Sequence, residues 1–238
     1  MRRIGYTTAV PRASVARRGD RLKALARRLQ TYGVGVHEVV MDVADVDAVA
    51  ALPDTLPSRF AAVDILVNNA GLALGTEPVD AVDVKGDART MMDVNVIGLM
   101  AFCRAFIPGM RVRGRGHVVN LGSIAGHEAY AGGSVYCATK HAVDAFTTAA
   151  RHDLVGTPIR VTAVSPGAVK TEFSVVRFKG NQEAADAVYK GFEPLTAADI
   201  ADNVMYALTR PHRVQVCDMV VLANQQSSAK GIHRAAKL

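Results

Sequence analysis

Tyr136 and Lys140 stand four residues apart in a stretch of helical character, so their side chains share one helix face about one turn apart. A phenol with an ordinary pKa of about 10 is too weakly acidic to act as a base at neutral pH, and a neighbouring ammonium favours its ionised form. Together they can make a working general base. Tyr-x-x-x-Lys is also a common surface or packing pair, so the spacing alone leaves both readings open. Ser123 narrows them. It follows a buried-looking strand by two residues, where a hydroxyl can reach a ligand held against the helix bearing Tyr136. Its plain alternative is a turn serine.

Elements that alternate along the chain must bring these residues together. Short β-branched runs mark strands at 36–42, 63–68, 117–121, 159–164 and 214–222, and several carry the consecutive apolar residues of buried parallel strands. Helical segments are expected at 20–30, 44–60, 85–110, 134–154 and 197–209. The stretch 166–191 has no long periodicity and reads as a lid. This alternation predicts a parallel sheet flanked by helices. In such sheets ligands bind beyond the carboxyl ends of the strands. Those ends read Asp42-Val43, Asn69-Ala70-Gly71, Gly122-Ser123 and Ser165-Pro166-Gly167. Small residues there let a large flat ligand approach the backbone, although glycine also serves ordinary βα turns.

Several of these features occur in one order: Asn68-Asn69-Ala70-Gly71, Asn95 within Asp93-Val94-Asn95-Val96-Ile97-Gly98, Ser123 thirteen residues before Tyr136, Lys140, and Pro166-Gly167. The combination resembles the short-chain dehydrogenase/reductase family from about Ser14 to the C-terminus. More narrowly, LVNNAGLALG, YAGGSVYCATK and TEFSVVRFKG resemble its NADP-dependent 3-hydroxy acid dehydrogenases, which act on L-allo-threonine, serine and related β-hydroxy acids. The resemblance implies that Tyr136 exchanges a proton with the substrate oxygen while hydride passes between the substrate carbon and a nicotinamide. It implies that Ser123 hydrogen-bonds that oxygen, that Lys140 lowers the phenol pKa and binds the nicotinamide ribose, and that Asn95 holds a water leading to solvent. Asp42 and Val43 would flank the adenine, and Asn69, with Ala70 and Gly71, the adenosine-side ribose. Pro166, Gly167, Val169 and Thr171 would meet the carboxamide and phosphates. The resemblance further implies a homotetramer or homodimer with the helices of Asn95 and Tyr136 at subunit contacts; the apolar periodicity there equally fits packing within one chain.

Arg17 and Arg18 match the position after the second strand of this fold, where an acid would bind the ribose 2′-hydroxyl of NAD and an arginine the 2′-phosphate of NADP. No acid stands there, which points to NADP and to guanidinium recognition of phosphate. The same residues also open a solvated amphipathic helix continued by Arg21, Lys23, Arg27 and Arg28. Arg177, in the lid segment, is the candidate partner for a substrate carboxylate; its rival reading is a solvated loop charge beside Lys179.

One family feature is missing. A Thr-Gly-x-x-x-Gly-x-Gly turn after the first strand would hold the pyrophosphate on backbone N–H groups and a helix N-terminus. The sequence contains no such turn, and too little chain precedes Arg18 for a strand, helix and second strand, which occupy at least ~30 residues. The expected fold is therefore α/β, a Rossmann-like doubly wound parallel sheet in a single domain (residues 1–238), lacking the first strand and first helix, with 1–13 a divergent tail. Because the absent strand is central in this topology, strands 2 and 4 would be parted and backbone groups left unpaired. An incomplete reading of a longer frame is the favoured explanation. The others are a genuine variant whose N-terminal residues pair in the gap, or a non-catalytic relative acting as an interaction or regulatory module.

Composition excludes other classes. Half of the 238 residues are apolar, enough for a sizeable core. The net charge of +6 suits an anionic ligand, but seven Phe, six Tyr and no Trp offer little of the aromatic stacking that accompanies nucleic-acid binding. No nucleic-acid partner is expected. No apolar run reaches the ~18 residues of a membrane span. Cys103, Cys137 and Cys217 form no paired framework, which fits a reducing, cytoplasmic compartment. Five arginines without an acid in the first 19 residues faintly resemble a transit peptide. The seven histidines lack His-x-x-x-His or Cys/His clustering, so no metal site is expected. Ser123 lacks the G-x-S-x-G setting of a hydrolase serine.

Overall fold

The computed structural model describes residues 11–235. Six strands, all paired in parallel, fall into two sheets: β1 (Arg12–Ala16) with β2 (Val36–Val40), and β3 (Ile65–Asn68), β4 (Gly116–Leu121), β5 (Ile159–Pro166) and β6 (Asp218–Val221) in that spatial order. Helices connect them: α1 (Gly19–Gln30), α2 (Val46–Thr55), α3 (Ser58–Ala61), α4 (Arg89–Met92), α5 (Gly98–Arg113), α6 (Ser134–Asp153), α7 (Phe173–Arg177), α8 (Gln182–Ala187) and α9 (Ala197–Leu208). The result is the expected Rossmann-like α/β architecture.

Among the described residues no strand joins β1 to β3, so the sheet is parted at the point expected from the missing first strand. The consequence is visible on β3, where Leu66 and Asn68 are buried but Ile65 and Val67 remain 45% and 41% exposed. β1 was not among the runs read as strands. It begins at Arg12, inside the segment read as a tail; positions 1–10 of that tail, and most of the arginine-rich leader-like stretch, lie outside the described residues.

The two sheets nevertheless share a core. Val15, Val39 and Met41 of the β1–β2 unit pack against a cluster containing Val49, Leu52, Phe102, Phe106, Met110, Val118 and Val161. A single helix, Val84–Arg113, contributes much of it, with α4 and α5 joined through π-helical turns. By length and composition this helix is apolar enough to cross a membrane, although Asn95 and Arg104 leave no uninterrupted apolar run of that length within it. Half of its most apolar stretch is buried inside the fold, as befits a core helix. The segment read as a lid condenses into α7 and α8, too short to show helical periodicity.

A buried polar ladder fastens the strands that carry the site. Asn68 Nδ2 donates to Asn120 Oδ1 at 2.9 Å, and Asn120 Nδ2 donates to Thr147 Oγ1 at 2.9 Å. It ties β3, β4 and α6 together with every interior amide paired, which fixes their relative register.

Candidate active site

Ser123 lies just beyond β4, where its Oγ accepts from Ala125 N at 3.1 Å and caps the short turn Ile124–Gly126. That turn packs directly on α6: a Cβ on Gly126 would stand 2.7 Å from the Lys140 carbonyl oxygen. The close approach brings Ser123 beside the phenol of Tyr136, with its Oγ directed to Pro166 O at 3.5 Å. Lys140, one turn further along α6, directs Nζ to the Leu121 carbonyl at 2.8 Å and sits 5.9 Å from the Tyr136 ring centroid. Asn95 is 1% exposed. Its Oδ1 accepts from Leu72 N and its Nδ2 donates to Leu72 O, both at 2.8 Å, with a further bond of 3.1 Å to Thr139 Oγ1. The helix break at Asp93–Ile97 and the strand end at Gly71 are thereby locked together; a Cβ on Gly71 would lie 3.3 Å from Asn95 Oδ1 and 3.7 Å from Lys140 Nζ.

Electrostatics in this site differ from the expectation for the Tyr136–Lys140 pair. Burial pushes the Tyr136 phenol above its ordinary value, and nearby Ser123 and Arg177 offset only part of that rise. Lys140 is itself shaped by the fold. Burial has pushed its own pKa down to about 8, and its ammonium is committed to the strand carbonyl. Asn95 likewise spends its amide on Leu72 and Thr139.

Arg177 reaches the site from α7. Its Nε donates to Gly75 O at 3.3 Å, Nη1 to Tyr130 Oη at 3.1 Å and Nη2 to Gly132 O at 2.9 Å, and its Cζ lies 6.0 Å from the Tyr136 ring centroid. Phe173, from the same short helix, meets the Tyr136 ring edge-on at 5.5 Å. Leu74, Gly75, Met91 and the Gly132–Tyr136 segment line a small cleft beside the phenol, with Val82 and the acids Glu77, Asp83 and Asp87 completing its wall. Of the candidate residues Tyr136 lines this cleft, and Arg177 braces its wall through Gly75 O and Gly132 O.

The other predicted residues gather at the carboxyl ends of the strands. Arg17 and Arg18 follow β1 directly; Arg17 approaches Asp42 at 3.6 Å, while Arg18 and Arg21 grip Glu172 at 3.0 and 2.5 Å. Asp42 accepts from Ala44 N at 3.0 Å, turning the chain after β2 so that Val43 faces Gly98. Asn69, Ala70 and Gly71 follow β3 and are exposed. Pro166 ends β5; Gly167 N donates to Val221 O at 2.8 Å, Val169 bridges to Leu195, and Thr171 Oγ1 accepts from Phe173 N at 3.2 Å.

Three contacts escaped sequence reasoning. Glu172 pairs with Arg18 and Arg21 across more than half the chain, and Tyr130 and Lys230 meet beside Arg177. His127, Asp144 and Asp218, from three separate elements, also bring ligand-type atoms within 4.8 Å of one another; no spacing rule links their positions.

The family model described as short chain dehydrogenase matches residues 8–182. The chain is 44% identical over 240 residues to the NADP-dependent 3-hydroxy acid dehydrogenase of Schizosaccharomyces pombe, covering 97% of this chain and 92% of that protein. It is 42% identical over 213 residues to the serine 3-dehydrogenase of Agrobacterium fabrum, covering 90% and 84%. Among solved structures, the closed form of serine dehydrogenase complexed with NADP+ superposes with a TM-score of 0.86 at 40% identity, covering 94% of this chain and 89% of that one. With the strand-end residues and the Ser123–Tyr136–Lys140 cluster in place, these similarities make the chain a member of the short-chain dehydrogenase family.

Proposed function

We propose that the protein is an NADP-dependent oxidoreductase that interconverts a short polar hydroxy acid, of the 3-hydroxy acid type represented by serine and L-allo-threonine, and the matching oxo acid. The observation that carries this reading is the convergence of Ser123 and Arg177 on the Tyr136 side chain, with Lys140 and Asn95 buried behind it. The non-catalytic alternative gains no support from the relatives, which carry dehydrogenase names.

The residues present fit the two ends of the dinucleotide. Arg17, Arg18 and Arg21 supply guanidinium donors for a 2′-phosphate beyond β1, and Gly71 leaves open backbone beside Lys140 Nζ. The described residues contain no glycine-rich turn for the pyrophosphate between β1 and β3. When bound, NADP supplies the hydride donor or acceptor.

The chain's own groups do the rest. Tyr136 Oη gives its proton to the carbonyl oxygen during reduction and takes it back during oxidation. Ser123 Oγ holds that oxygen, and Lys140 replenishes the proton and holds ribose hydroxyls. Asn95 positions the Leu72 backbone rather than contacting substrate. Asp42 and Val43 line the adenine side, Asn69 and Ala70 the ribose, and Pro166, Gly167, Val169 and Thr171 the nicotinamide and phosphate side. Arg177 faces the substrate carboxylate. A single domain, a homodimer or homotetramer, and a cytoplasmic setting complete the proposal.

Titration with NADPH, followed by nicotinamide fluorescence, and turnover assays with serine, L-allo-threonine and 3-hydroxybutyrate test it. Saturable NADPH binding with NADP-dependent oxidation of at least one acid is expected. No binding at millimolar NADPH overturns the proposal.

A further inference from the structure

Beside Arg177 stands a second cation. Lys230 lies in a turn near the C-terminus and places Nζ 4.6 Å from the Tyr130 ring centroid, while the Arg177 guanidinium carbon lies 5.6 Å from the same centroid and its Nη1 donates to the Tyr130 hydroxyl. The turn is firmly held. Ala229 N donates to Glu128 Oε2 at 2.8 Å, Ser227 N donates to Gly231 O at 2.8 Å, and Gln226 Oε1 anchors the segment to Ala168 N at 2.9 Å.

The two cations differ in what they have left to offer. Arg177 already serves Gly75 O, Gly132 O and Tyr130 Oη, which spreads its fork over three protein acceptors. Lys230 makes no hydrogen bond or ion pair among the described residues; Glu128 meets its turn through the backbone of Ala229, not through the ammonium. Partial burial and the positive charge of Arg177 both hold the Lys230 pKa below its usual value. Like charges brought together without a carboxylate between them are relieved by a bound anion.

Resting on the functional reading above, we infer that Lys230 is a specificity-determining residue that binds the acid group of the substrate, with Arg177 bracing Tyr130 and sharing the negative charge. The substrate class this selects is a short hydroxy or oxo compound with a terminal carboxylate or a similarly compact anion. A neutral alcohol of equal size gains nothing from Lys230.

The test compares wild type, Lys230→Met and Lys230→Arg with 3-hydroxybutyrate and with 2-butanol as the neutral counterpart, each variant's fold being checked by circular dichroism. Loss of one charge-assisted contact corresponds to a rise in KM for the acid of about 10-fold or more relative to any change for the alcohol. Lys230→Arg is expected to restore most of the loss. An acid preference in Lys230→Met equal to that of wild type overturns this inference and leaves the functional reading standing. A wild-type protein that turns over neither compound with NADP removes both. Equal losses on acid and alcohol, unrescued by arginine, assign Lys230 to packing and overturn the inference.

Discussion

Lys140 Nζ lies 2.8 Å from the Leu121 carbonyl oxygen, so the ammonium that the sequence pairs with Tyr136 is anchored to the end of β4. The bond holds α6 against the strand that delivers Ser123. It also makes Lys140 a buried cation whose ionisation the fold opposes, with its pKa pushed down to about 8. The site therefore contains an amine that titrates near physiological pH beside a phenol that burial keeps protonated.

Stability records this directly. Below pH 8 Lys140 is charged in both folded and unfolded chains, and the full cost of burying it is present. Between about 8 and 10.5 the unfolded chain keeps the proton that the folded protein has released, so stability rises with pH. Relative to Lys140→Met, the wild-type protein should gain about 3 kcal/mol across that window. Urea midpoints at pH 7, 9 and 10.5 measure it; parallel curves for the two proteins would show that Lys140 is not a buried cation in the folded state.

Tyr136 carries the proton step. Tyr136→Phe keeps the ring against Phe173 and removes only the hydroxyl. Turnover should fall by ~10²- to 10⁴-fold while NADPH affinity changes less than ~2-fold. Because burial raises the phenol pKa, Tyr136 is a ready acid at neutral pH: reduction of the oxo acid should hold near pH 7, and oxidation of the hydroxy acid should climb towards alkaline pH. Steady-state rates in both directions from pH 6 to 10 decide this, and appreciable turnover by the phenylalanine variant would rule it out.

How far these features were legible in the sequence follows from what makes each one local. Strands β2 to β6 announce themselves through adjacent apolar or β-branched residues, such as Val118 and Val119, that are buried on both faces of the sheet. β1, with the sequence Arg-Ala-Ser-Val-Ala and two exposed leading residues, has no such run, although the family resemblance correctly set Arg17 and Arg18 after a strand. Tyr136 and Lys140 share a helix, so spacing alone brings them together. Glu172 with Arg21, and Lys230 with Tyr130, are joined only by tertiary folding, and exposed charges leave no periodicity from which to infer a partner. The burial of Lys140, which holds its pKa down, is a property of the packed turn at Gly126 and not of the Tyr-x-x-x-Lys spacing, so it left no mark in the sequence.

Glu172 occupies the guanidinium donors that a 2′-phosphate would use. Its carboxyl is held below the usual range by hydrogen bonds from Arg21 and Arg18. Glu172→Gln should free both arginines and tighten NADPH binding by about 2- to 5-fold at low salt, the scale of an exposed ion pair, with little change for NADH. Arg18→Ala should weaken NADPH more than NADH. Fluorescence titrations with both cofactors read out the ratio; an unchanged ratio in Arg18→Ala would place the phosphate elsewhere.

The ladder of Asn68, Asn120 and Thr147 lies beneath the site. Asn120 is fully buried, accepts from Asn68 Nδ2 and donates to Thr147 Oγ1. Asn120→Ala strips a partner from both and opens a void between β3, β4 and α6. Asn68 then retains only a weak 3.4 Å contact to Cys103 Sγ, whereas Thr147 still donates to Val143 O. The cost should be about 2–4 kcal/mol, since buried amides left unpaired lose their desolvation energy without return. Urea denaturation gives the number. Because β4 delivers Ser123, activity in the folded fraction should fall as well, and a variant that loses stability yet keeps full kcat would show that the ladder supports the sheet without setting the position of the hydroxyl.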